Sequence, residues 1–202
     1  MTGEAHRPHT GRRRNEAARR AILDVAVELL GGTGDAPVTI DTIAASAGVG
    51  KQTIYRWWPS KGAVLLEAVA ERAGEDIPVP DTGSLRGDLG AFLRATFRAV
   101  GHERTVSVLR HAMAEAQRDP HAREPMRAFI AGRRTVLRGL LERARERGEI
   151  TPGTDLGLVV DQAYGVLWYR ILVGHAPLSE SEADMLARAL TAQVTASAAD
   201  GG

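Results

Sequence analysis

Lys51, Gln52, Thr53, Tyr55, Arg56 and Trp57 crowd a cation, an amide, a hydroxyl, a phenol, a guanidinium and an indole into seven consecutive positions. These groups read base edges in a major groove and grip the phosphates beside it. An ordinary solvated helix would carry Glu/Lys pairs instead, and a solvated helical hairpin is the plain alternative reading. Ile54 and Trp58 punctuate the set and are predicted to turn inward. Lys61 follows closely, so the chain's lysines, Lys51 and Lys61, both fall in this stretch.

No other chemistry competes with this one. The sequence has no H-E-x-x-H, no phosphate-cradling glycine loop and no nucleophile elbow. Without cysteine there are no disulfides and no thiolate ligands, which suits a reducing compartment. His102, His111, His121 and His175 lack metal-ligand spacing. Catalysis, a metal and a cofactor are therefore not expected. The net charge of +1 announces no polyanionic partner, but Arg7, Arg12, Arg13, Arg14, Arg19 and Arg20 concentrate positive charge near the N-terminus.

The elements that must position these side chains are two short helices and a tight turn over residues 39–61. Thr39 is predicted to cap the first, and Asp41 complements its dipole. Ile40, Ile43, Ala44 and Ala47 give that helix one apolar face. Gly48 ends it, Val49 plugs the corner, and the second helix starts at Gly50 or Lys51. Pro59 stops that helix, and Ser60 caps a further one carrying Val64, Leu65, Ala68 and Val69 inward. The N-terminus of this further helix, with Lys61, is a ready anion site. Upstream, residues 15–31 read as a bracing helix with Asn15 as its cap.

The run Ala44, Ala47, Gly48, Val49, Gly50, Thr53, Ile54, Tyr55, Trp57, Ser60 and Lys61, with Trp58 where phenylalanine is commoner, closely resembles the helix-turn-helix of the TetR (tetracycline-repressor-like) family of bacterial transcriptional regulators. The resemblance implies phosphate contacts for Lys61, Tyr55 and Thr53. It leaves Lys51, Gln52 and Arg56 to meet bases, Gln52 being able to pair with adenine and Arg56 with guanine. Trp57 is expected against backbone sugars and Trp58 in the core. Thr39 and Gly50, at the two helix starts, complete the expected DNA-facing set. Arg12, Arg13 and Arg14 are read as a flexible basic arm over residues 1–14, either reaching a minor groove or simply solvated.

The remaining chain reads as all-α. Residues 74–83, with two prolines and two glycines, are predicted to separate a helix-turn-helix domain over 15–73 from a helical domain over 84–197, about nine helices in total. Ser84 caps the next helix, Thr105 starts another, and a short piece after Asp119-Pro120 leads into a long helix from about Glu124 to Gly148. Helices over 155–173 and 179–195 follow. The first of these is apolar nearly all round, and the second carries Ala183, Leu186, Leu190 and Val194 on one face. Pairing both with the same helices of a second copy would cover them, as in the family's dimers. Such a homodimer would address inverted-repeat, double-stranded DNA.

The resemblance further implies a pocket for a small-molecule effector in the C-terminal domain, whose binding releases DNA. Candidate walls are Phe92, Thr96, Phe97, Leu109, Met113, Phe129, Arg133, Tyr164 and Trp168. No uninterrupted apolar run approaches the length of a membrane span. The resemblance makes a cytoplasmic, effector-responsive repressor the leading expectation. Two alternatives stand beside it: a C-terminal domain that binds a protein partner, and a helical carrier or enzyme with an incidental helix-turn-helix.

Overall fold

The computed structural model describes residues 10–31, 38–77 and 79–195, and these form nine helices and no strand. Helix α1 spans Thr10–Gly31, α2 Ile40–Ser46, α3 Lys51–Trp57 and α4 Lys61–Asp76. Then come α5 (Leu85–Val100), α6 (Glu103–Arg118), α7 (Pro120–Glu146), α8 (Leu156–Val173) and α9 (Glu180–Thr195). The all-α expectation holds. Helix α6 starts at Glu103, ahead of the expected Thr105, and three further boundaries differ from the sequence reading, each for a physical reason.

The first helix begins at Thr10 rather than at Asn15, so residues 10–14 of the expected flexible arm are helical. Three consecutive arginines, good helix formers, extend α1 backward once the downstream face is packed. The side chains of Arg12, Arg13 and Arg14, and all of residues 1–9, lie outside the described residues. Helix α4 runs through Gly74 to Asp76, because Ala73 and Ile77 are buried and their packing outweighs the ~1 kcal/mol a helical glycine costs. The predicted short piece before the long helix does not exist separately. Asp119 caps α7 by accepting from the His121 amide at 2.8 Å, and Pro120 occupies the first turn, where it donates nothing in any case. Pro125 stays inside α7 and forfeits only the bond to the carbonyl four residues back.

The boundary expected at 74–83 is not a gap in packing. Helix α4 lies against α1 on one side and against α6 and α7 on the other. One hydrophobic cluster therefore runs without a break from Ile22 and Ile43 through Val64 and Ala68 to Leu109, Leu140 and Val159. Helix α9 packs mainly on α5 and only lightly on α8. Ala183 and Ala187 allow that close approach, and Arg94–Asp184 and Arg98–Glu180 pairs, each at 2.6 Å, flank it. Ala187 thus takes the inward place expected of Leu186, which is half-buried. Helix α8 has the length and apolarity to cross a membrane, yet its inner face is built into the core through Val159, Val160, Ala163, Leu167 and Ile171.

A buried carboxylate ties the 79–84 connection to the helical body. Asp88 is fully buried and accepts from the Thr82 amide at 2.6 Å, the Thr82 hydroxyl at 2.8 Å and Arg147 at 3.1 Å. Burial alone would push this carboxyl up, but the Thr82 bonds and the Arg147 charge outweigh it and hold it below its ordinary 3.8. A carboxyl depressed in the folded state stabilises above its unfolded pKa, and that contribution is lost as pH falls through the folded value. Asp88→Asn is therefore expected to cost about 2–3 kcal/mol at pH 7, with the gap to the unaltered protein narrowing below pH 3.8. Urea unfolding at pH 7 and pH 3 checks this, and a gap that does not narrow would contradict it.

Candidate nucleic-acid interface

The turn between α2 and α3 is built by hydrogen bonds that the sequence encodes locally. The Thr39 hydroxyl accepts from the Thr42 amide at 3.1 Å, while the Thr42 hydroxyl accepts from the Thr39 amide at 2.9 Å. This reciprocal capping box closes the start of α2 with two threonines. At the other end Gly48 takes φ +65, and the Val49 amide returns to the Ala44 carbonyl at 3.0 Å. That is a Schellman closure, in which a left-handed residue is required and glycine supplies it without strain. Val49 packs against the core at the corner, as expected.

Helix α3 is anchored from beneath and free above. Ile54 is fully buried, and Trp58, the C-terminal cap residue, is 3% exposed. The Trp58 indole donates to Glu67 of α4, and the same carboxylate pairs with Arg19 of α1. The Arg19 guanidinium also lies 5.8 Å from the Trp57 ring centroid and 5.7 Å from that of Trp58. Sequence reading missed Arg19 and Glu67 altogether. Their spacing from the reading helix carries no local signal, since the contact joins residues 48 positions apart.

Above this anchor, Gly50, Lys51, Gln52, Tyr55 and Arg56 are exposed together, and Thr53 is half-buried on the same helix. Lys61 is exposed at the first turn of α4, where the Ser60 hydroxyl accepts from the Ala63 amide at 3.2 Å. Thr39 is half-buried at the start of α2. Trp57 departs from the expected set. It is half-buried, its indole N–H is buried without a partner among the described residues, and it faces a groove against α7. The array of cation, amide, phenol and guanidinium has the reach for phosphates and base edges, and its rigid support fixes the geometry.

Lys51 is held in reserve by its neighbour: its ammonium lies 2.5 Å from an Asp41 oxygen across the turn. The hydrogen bond that Lys51 donates to Asp41, then the charge of that carboxylate, raises the lysine above its ordinary 10.5, so Lys51 stays cationic throughout the physiological range. A DNA phosphate or base acceptor must compete with Asp41 for it.

In the C-terminal helices, six of the nine candidate walls meet around one apolar cavity of about 40 Å³: Thr96, Leu109, Phe129, Arg133, Tyr164 and Trp168. Phe92 and Phe97 do not line it and are core residues, each 1% exposed. Met113 is half-buried elsewhere on α6, 3.7 Å from the Gln117 amide nitrogen. Sequence reading also missed Val69, Ala73 and Ile77, through which the fourth helix forms part of the wall. Tyr164 donates its hydroxyl to the Arg133 carbonyl at 2.8 Å, and burial pushes it up to about 12 against the pull of Arg133 and Arg134. No cluster of metal-ligating side chains occurs among the described residues.

If Asp41 restrains Lys51 as described, Asp41→Asn is expected to strengthen binding to any duplex about three- to tenfold and to steepen its salt dependence. It also removes a favourable charge at the start of α2, costing about 0.5 kcal/mol of stability. Fluorescence anisotropy titrations at two salt concentrations, with thermal melts, check both signs, and unchanged or weaker binding would contradict the restraint.

Comparison with known proteins agrees with this architecture. The family described as "Bacterial regulatory proteins, tetR family" matches residues 22–68, and "Tetracyclin repressor-like, C-terminal domain" matches residues 79–190. The HTH-type transcriptional regulator YdeS of Bacillus subtilis is 35% identical over 172 residues, covering 85% of this chain and 86% of YdeS. The DNA-binding transcriptional repressor TetR of Mycobacteroides abscessus is 31% identical, covering 83% of this chain and 88% of its own length. The crystal structure of the TetR family transcription regulator SCO0332 superposes with a TM-score of 0.78 at 34% identity, over 88% of this chain and 98% of that one. With its helix-turn-helix, its helical C-terminal half and relatives aligned over most of both chains, this protein belongs to the TetR family of transcriptional regulators.

Proposed function

We propose that this regulator is a cytoplasmic, homodimeric repressor that holds an inverted-repeat operator through two copies of α3 and releases it when a small molecule occupies the C-terminal cavity. The observation that carries the operator reading is the exposure of Lys51, Gln52, Tyr55 and Arg56 on a helix pinned from below by Ile54, Trp58, Arg19 and Glu67. In this reading Tyr55, Thr53 and Lys61 grip phosphates, while Lys51, Gln52 and Arg56 meet bases.

Outward stripes on the last two helices support the dimer. Leu158, Tyr169, Leu172 and Val173 of α8 and Met185 of α9 are each about half exposed or more, so no described helix covers them. Pairing these faces across a twofold axis would set two reading helices about one DNA turn (~34 Å) apart, the spacing that an inverted repeat demands.

Release requires that the effector bind the DNA-incompetent arrangement better, by about 1–3 kcal/mol. The lining of the cavity by α4 supports that coupling, because the helix that walls the cavity through Val69 and Ala73 also carries Lys61 and Glu67. The small free volume favours a second reading, in which the C-terminal half binds a protein partner. A small molecule that weakens operator binding would discard that second reading.

Selection of duplexes from a random pool, repeated at two salt concentrations, tests the operator reading. An inverted repeat bound more weakly as salt rises is the expected result. Tyr55→Phe and Lys61→Ala should then weaken binding to all duplexes, whereas Gln52→Ala or Arg56→Ala should chiefly relax discrimination among sequences. Lys61→Ala altering base preference at unchanged overall affinity would reverse the assigned roles.

A further inference from the structure

Phe129 of α7 stands between two spaces and is the one residue that lines both. On its inner side is the 40 Å³ apolar cavity. On its outer side a groove of about 430 Å³ separates α4 from the start of α7, with Trp57 and Trp58 at the end of the reading helix among its walls. Phe129 is only half-buried and is held by apolar contact alone.

One turn further along α7, Arg133 lines the inner cavity, and its Nη1 is buried without a hydrogen-bond partner among the described residues. Ile130, Leu167, Trp168 and Ile171 surround that space with apolar atoms. A buried guanidinium N–H with no acceptor is costly, so the site is arranged for an anion that supplies one. A carboxylate matches the guanidinium fork and neutralises it with a single charge. A phosphate dianion would bring a second charge, and Arg134, the next residue of α7, is already paired with Asp161.

The inner cavity, at about 40 Å³, has room for a few waters at most, so a carboxylate with more than a few carbons must extend elsewhere. Of the spaces that adjoin the cavity, the one past Phe129 is large enough to take a tail, at about 430 Å³, whereas the one past Val69 and Val100 is about 20 Å³. Glu124 stands in the outer groove without an ion-pair partner among the described residues and disfavours a second anionic end there, whereas Ala63, Leu66, Ala70 and Ala128 offer apolar walls. We propose that the effector is an apolar monocarboxylate that sets its carboxylate on Arg133, swings Phe129 aside and runs its tail into the groove against Trp57 and Trp58. This inference rests on the effector reading above and adds to it the ligand's chemistry and the lever. Trp57 ends α3 and Trp58 caps it, so a tail in the groove bears directly on the reading helix.

All of the chain's three tryptophans line these two spaces, Trp168 the inner one and Trp57 and Trp58 the outer, so intrinsic fluorescence reports occupancy without any DNA. The full chain is titrated with decanoate and, as the neutral match, decan-1-ol, with circular dichroism to confirm folding. Decanoate is expected to give a saturable fluorescence change at least about tenfold tighter than decan-1-ol. Arg133→Met should erase that preference and Arg133→Lys should keep part of it, while Phe129→Ala should bind decanoate more tightly. Equal response to both probes, no response to decanoate, or a preference that survives Arg133→Met in folded protein would overturn the ligand class. Should Arg133→Met fail to fold, the two probes on the unaltered protein decide alone. Operator release is read separately, by anisotropy of the selected duplex. Decanoate that saturates the fluorescence change yet leaves operator affinity unmoved would overturn the effector reading and the lever through Trp57, and would leave the assigned ligand chemistry standing.

Discussion

A single carboxylate, Glu67, joins the parts on which the reading helix depends. It accepts from the Trp58 indole and from Arg19 at once, so α1, α3 and α4 meet at one point of complementary charge. Both partners are partly shielded, with about a third or less of the Arg19 and Glu67 side chains exposed, which strengthens the pair relative to a fully solvated one. The Arg19 guanidinium stacked near both tryptophans fills the same corner with apolar as well as ionic contact. Helix α3 is only seven residues long and could not hold its shape in water unaided. Its outward side chains can be polar and exposed because everything beneath them is committed.

Helix α4 extends that constraint into the other half of the molecule. Its apolar residues are distributed around most of its circumference, so it is buried against α1 on one flank and against α6 and α7 on the other. A helix shared in this way cannot tilt relative to one half without disturbing its packing on the other, because close-packed interiors deform in discrete steps rather than smoothly. The fold thus contains a physical link between the C-terminal cavity and the DNA-facing surface that needs no flexible hinge.

The outer faces of α8 and α9 express a different economy. Their inner faces complete the core through Val159, Leu167, Ala183 and Leu190, while Leu158, Tyr169 and Met185 are left about half exposed. Exposed apolar residues in a contiguous stripe, rather than scattered singly, are the usual mark of a surface meant for another molecule. Asp161 and Arg170 within α8 keep that surface from being uniformly greasy, and each is engaged in an ion pair.

The sequence by itself determined the elements whose causes are local. Thr39, Gly48, Ser60 and Ser84 cap or end their helices through contacts a few residues long, and each was legible from residue type and spacing. The exposed set on α3 was legible for the same reason, because a short helix with Ile54 and Trp58 inward leaves its other faces no choice. Tertiary structure decided what depends on long-range contact. It drew Trp57 toward the groove, placed Arg19 under the reading helix, and put Val69 and Ala73 in the cavity wall. It also sent Phe92 and Phe97 into the core instead of the cavity, since periodicity marks an apolar face but not which neighbour that face will meet. Helix ends followed the same division: α1 and α4 outran their expected limits where packing outweighed weak local signals, and α6, with no side-chain cap, began ahead of Thr105, while Ser60 and Ser84 capped their helices as expected.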